Sequence, residues 1–235
     1  ELSVAQTYGL DCAMVAIDPG PGFPFIKGYN NPANWSQLIE VTKRAIDLAA
    51  KYGAPNAICF TGFSTKNPED PNSEHFSLEE GADNCVEGLK KVIGYAEKKK
   101  VNLCLEPLST RDDSHPMKGH PGYQGNHLDY CMDIIKRVES ERMKVLFDIY
   151  HTQVMDGDVI RRLRENIDFI GHVHTAGNPG RGALVATAWA RYVYLQVLCY
   201  DTALVQEARR ISPEVPNLGG MYAPPMPNVQ PMRQS

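Results

Sequence analysis

Three features of the chain predict an α/β protein of the parallel (β/α)8-type (TIM) barrel class. Short apolar runs rich in β-branched and aromatic residues alternate with longer segments of helical periodicity, the pattern of a parallel sheet crossed by helices. Most runs are apolar nearly throughout, as strands covered on both faces must be; a half-exposed strand would alternate. Ionisable side chains close four of the runs, at the ends where a barrel opens its active face.

The predicted strands cover residues 9–15, 56–62, 101–107, 144–150, 168–174 and, least sharply marked, 202–207. After the first, Asn34 with Gln37 reads as a capping box, opening a helix whose apolar face is Leu38, Val41, Ala45, Leu48 and Tyr52 and which Gly53 stops. Ser77 with Glu80 repeats the box and opens a helix through Cys85, Val86, Leu89 and Ile93 to the basic run at 98–100, a charge suited to a helix C-terminus. Leu128, Cys131, Met132, Ile135 and Val138 mark a third helix, and Val159, Ile160 and Leu163 a short fourth after Asp156. Beyond Ile211 the chain changes character: six prolines lie between Pro213 and Pro231, which predicts a loose segment over 212–235 and a barrel domain over 1–211. Six strands are two short of a closed barrel, so the first strand–helix units, about 60 residues, are expected to be missing before residue 1. A doubly wound sheet would place a glycine loop after its first strand, and the DPGPG at 18–22 is too rich in proline to serve.

Composition narrows the function classes. The chain has 235 residues, 43% apolar and 22% charged, with a net charge of −4, so nucleic acid and anionic membrane are not expected partners. No run approaches the roughly 18 apolar residues of a membrane span, and residues 1–9 lack the basic start and apolar core of a signal. The six cysteines, at 12, 59, 85, 104, 131 and 199, have no paired spacing and read as buried thiols of a reducing, cytoplasmic compartment.

Glu106 closes VNLCLE, Asp148 closes KVLFD, His174 closes FIGHVH and Glu207 closes TALVQE. Carboxylates gathered at one barrel mouth are costly to bury unless a cation neutralises them. Three carboxylates and an imidazole make a hard site suited to one divalent metal ion, Mn²⁺, Mg²⁺ or Co²⁺. A strand-end glutamate is usually just solvated, but Glu106 lies between apolar neighbours in LCLEPL. His172 would share a strand face with His174 and reads as a buried supporting group.

The stretches LEPL, HPGY and LFDIYHTQVMDGDVIRRLRENIDFIGHVHTAGNPGRG resemble the hydroxypyruvate isomerase family of the xylose-isomerase-like barrels, and YDTALVQE resembles a degraded form of its last-strand motif. The likeness runs over residues 10–207. It implies that Glu106, Asp148, His174 and Glu207 bind one divalent ion, that Glu106 and Glu207 exchange protons with substrate, and that His151 and Arg181 bind it. It implies an aldose–ketose type isomerase, an intramolecular oxidoreductase, working through an enediolate on a small sugar or keto acid such as hydroxypyruvate. Two departures stand out: the missing first units, and Ala183 where the family continues with a glutamate. Alternatives are an epimerase with the same proton relay, an inactive truncated barrel whose open edges would favour a homo-oligomer, and an AP endonuclease-like nuclease, for which the chain lacks both extra histidines and a basic face.

Overall fold

The order of the strands sets the architecture. The structure, a computed structural model, describes residues 2–181 apart from 21–24, 71, 116–117 and 179. These fall in one unit, Glu1–Ala190; a second, Arg191–Ser235, lies outside the described residues, and with it the strand expected over 202–207 and the segment 212–235. Strands β1 (Met14–Val15), β2 (Asn56–Cys59), β3 (Asn102–Leu105), β4 (Met143–Asp148) and β5 (Ile170–His174) pair in sequence order, each parallel to the next. After the short α1 (Leu2–Thr7), the crossovers are α2 (Trp35–Tyr52), α3 (Leu78–Lys99), α4 (Leu128–Val138) and the pair α5 (Ile149–Met155) and α6 (Val159–Glu165). Unbroken sequential order is that of a barrel wall, whereas a doubly wound sheet reverses order at a switch point.

Local chemistry explains where the elements begin and end. The run 9–15 yields only Met14 and Val15, because Gly9 takes a left-handed φ of 71° and residues 9–11 are exposed. Ser77 caps α3 as expected, accepting from Glu80 N at 3.0 Å, and Gly53 ends α2 at φ 74°. The box at Asn34 does not form. A 3-10 turn, Pro32–Asn34, precedes α2, so Asn31 does the capping, accepting from Ala33 N at 3.0 Å, while Gln37 Nε2 donates to Pro19 O. Leu48, placed on the apolar face of α2, is 40% exposed; Ile46, which interrupts the expected spacing, is fully buried instead. The run 144–150 ends its strand at Asp148, and Ile149 and Tyr150 open α5. Asp168, given to the last described strand, lies in the 3-10 turn Ile167–Phe169.

The core follows from strands covered on both sides. Ile58, Phe60, Cys104, Leu108, Tyr123 and Leu146 form one buried cluster. Cys59, Cys85, Cys104 and Cys131 are buried and free, and Cys12 is free and partly buried. One irregularity matters for the site. Val145 pairs with Ile170 and Leu146 with His172, so Gly171 is an extra residue in β5. A Cβ there would lie 2.6 Å from Cys104 Sγ and 2.9 Å from Lys144 Cβ, so only glycine fits the bulge. Past it, the ladder sets Asp148 opposite His174.

Candidate metal centre at the strand ends

Glu106 directly follows β3, Asp148 ends β4 and His174 ends β5, so parallel pairing gathers them at one end of the sheet. His174 Nδ1 lies 3.1 Å from Glu106 Oε1, to which it is hydrogen-bonded, and 3.9 Å from Asp148 Oδ2. One ligand atom from each of the three lies within 4.8 Å of the others. Glu106 is 5% exposed and Asp148 1%.

Asp148 uses its two oxygens differently. Oδ1 caps α5, accepting from His151 N at 3.1 Å, which fixes the carboxylate's orientation. Oδ2 accepts from Arg181 Nη2 at 3.2 Å and lies 3.8 Å from His151 Nε2. Arg181 has a left-handed backbone, φ 52°, and sets its guanidinium 5.3 Å above the Tyr150 ring, a cation–π contact. His151 is oriented by a main-chain group: Ser109 N donates to its Nδ1 at 3.0 Å. Its proton therefore sits on Nε2, which is buried without a partner.

The electrostatics follow from burial. Glu106 is held above the usual carboxylate range, chiefly by desolvation, against the pull of its hydrogen bond to His174 and with the help of the Asp148 charge. Asp148 is raised for the same first reason, with Arg181 opposing. His174 is raised by its hydrogen bond to Glu106. His151 is pushed down to about 2 by burial and then by Arg181, so it works as a neutral donor. Two desolvated carboxylates beside an imidazole are a hard oxygen and nitrogen donor set, and a divalent cation would relieve the burial that resists their ionisation. These residues fit such an ion.

Of the residues singled out from sequence, Glu106, Asp148, His174, His151 and Arg181 come together, and Glu207 lies outside the described residues. His172 stays apart from the triad, its ring edge-on to His174 at 5.1 Å. The sequence did not reveal the roles of Ser109, which acts through its backbone, or of Tyr123, whose hydroxyl donates to Glu106 O at 2.8 Å and accepts from Thr61 N at 3.0 Å. The HPGY run was the one visible signal of Tyr123 and His120.

A sequentially wound parallel sheet with two buried carboxylates beside a half-buried imidazole at its carboxyl ends defines a (β/α)-barrel protein with a candidate divalent-metal centre. Residues 2–189 match the family described as Xylose isomerase-like TIM barrel, and the chain belongs to it. It is 38% identical over 96 residues to 2-oxo-tetronate isomerase of Cupriavidus necator, a match covering 41% of this chain and 34% of that one. It is 30% identical over 166 residues to hydroxypyruvate isomerase of Escherichia coli, covering 70% of this chain and 57% of the relative. The chain thus spans about a third to under six tenths of the length of these two relatives. Among solved structures, a 3-keto-D-glucoside 4-epimerase from Escherichia coli shares the fold with a TM-score of 0.61 at 18% identity, over 85% of this chain and 72% of the other.

Proposed function

We propose that this chain carries the strand-end site of a divalent-metal-dependent isomerase that interconverts 2-keto acids of the hydroxypyruvate and 2-oxotetronate type by moving a proton between adjacent carbons. The observation that carries this reading is the convergence of Glu106, Asp148 and His174, one ligand atom of each within 4.8 Å of the others, in a chain similar to a 2-oxo-tetronate isomerase and a hydroxypyruvate isomerase. Glu106, Asp148 and His174 would hold Mn²⁺, Mg²⁺ or Co²⁺, with Glu207 as the fourth ligand that the family resemblance implies. When bound, the ion supplies Lewis acidity that acidifies the C–H between a substrate carbonyl and hydroxyl.

The chain's own groups have separable tasks. Glu106, whose burial favours its protonated form, is suited to exchange a proton with the reacting carbon near neutral pH. The family resemblance gives Glu207 as the second proton-exchanging group. His151 offers Nε2–H to a substrate oxygen, a donor held neutral and already oriented by Ser109. Arg181 grips the substrate carboxylate, for which a guanidinium is the best-matched side chain. Free, buried thiols support a reducing cytoplasmic setting.

Hydroxypyruvate turnover by the purified chain, followed by product analysis, tests the proposal. Activity should disappear on exhaustive chelation and return with Mn²⁺ or Mg²⁺, with tartronate semialdehyde as product. Activity indifferent to chelation would contradict it, and conversion of a free ketose to its C-epimer without turnover of hydroxypyruvate would assign the epimerase alternative.

A further inference from the structure

The connection between β3 and α4 carries a buried imidazole to which the reaction above gives no task. His120 is 5% exposed. Its backbone is tied to both halves of the site: its N donates to Ser109 O at 2.7 Å, and its O accepts from Tyr123 N at 3.0 Å. Ser109 orients His151, and Tyr123 holds the Glu106 carbonyl. The ring centroid lies 4.0 Å from that of Phe25 and 5.8 Å from that of His151.

Among the described residues, the hydrogen bonds of His120 are those of its backbone. Packing alone does not account for an imidazole in that setting, since a phenyl ring would stack on Phe25 without carrying two polar atoms to desolvate. Burial, and then the Arg181 charge, push the group down to about 4, so at neutral pH it offers one donor and one acceptor. That pair matches a hydroxyl, which also gives and accepts. A carboxylate only accepts and would draw the ring toward its charged form, so it belongs with Arg181.

We propose that His120 is a specificity-determining residue of this site, binding the hydroxyl on the carbon beyond the reacting pair of a four-carbon 2-keto acid. Hydroxypyruvate has no such group, because its one hydroxyl is on a reacting carbon. 2-Oxotetronate has one, on its terminal carbon. This inference rests on the isomerase reading above.

Steady-state kinetics of the metal-loaded full chain on both acids test it, with His120→Phe, which keeps the stacking surface, and His120→Asn, which keeps a donor and an acceptor. For 2-oxotetronate His120→Phe should raise KM about tenfold with little change in kcat, as loss of one hydrogen bond from a built site requires. For hydroxypyruvate both constants should stay within about twofold, and His120→Asn should recover most of the loss. An unchanged KM for the four-carbon acid, an equal loss on both acids, or unfolding of both variants would overturn the assignment. Absence of turnover of either acid by the wild type would sink the isomerase reading, and this inference with it.

Discussion

Asp148 shows how one side chain can serve fold and site together. Its Oδ1 caps α5 and its Oδ2 faces His174, His151 and Arg181, so the start of the helix fixes the direction of the candidate ligand. Tyr123 acts in a similar way at second hand. Tyr123→Phe should destabilise the chain by about 1–3 kcal/mol, since it leaves the buried Thr61 N–H and Glu106 carbonyl short of a partner. Urea unfolding measures this, and a change under about 0.5 kcal/mol would contradict the role. At this scale the sequence was legible where a charged residue stands out against its neighbours: Glu106 in LCLEPL and Asp148 in LFDIY are conspicuous because apolar runs do not otherwise carry carboxylates. Ser109 was not, since any residue but proline supplies its N–H, and His120 gains its meaning only from Phe25 and His151, distant in the chain.

The strands and helices were legible in type and less so at their ends. Ser77 and Gly53 announced their caps because the chemistry is local, whereas Asn34 lost the capping role to Asn31 when Pro32 started a 3-10 turn one step earlier. The bulge at Gly171 had no sequence signature beyond a glycine in a strand, because it is defined by the neighbouring strands. It also supplies a test of how elements position the site. Gly171→Ala would bring a Cβ against Cys104 and Lys144, an overpacking expected to cost about 1–3 kcal/mol. The displaced end of β5 should also weaken Mn²⁺ binding through His174. Wild-type stability and Mn²⁺ affinity in this variant would show that the bulge does not set the ligand geometry.

For the whole molecule, stability and the site are linked through protons. The pKa of His174 is raised in the folded chain by Glu106, so its contribution is fully present below the unfolded value of about 6.5 and is lost as pH climbs through the folded value. In chelated protein, the stability deficit of His174→Gln relative to wild type should therefore be largest below pH about 6.5 and shrink as pH rises above it, as pH-resolved thermal melts would show. A deficit that grows with pH would reverse the sign of the link. The barrel class was legible because strand order in a sequential parallel sheet repeats chain order. The strand expected to carry Glu207, the proposed second proton-exchanging group, falls outside the described residues.

The central claim is that Glu106, Asp148 and His174 share one cation, and calorimetric titration of the chelated, full-length chain with Mn²⁺ tests it most directly. The expected result is one ion per chain, with affinity falling in Asp148→Asn and in His174→Ala by more than the roughly 10–100-fold that loss of a supporting partner costs. No saturable binding, or binding that both variants leave unchanged, would contradict it.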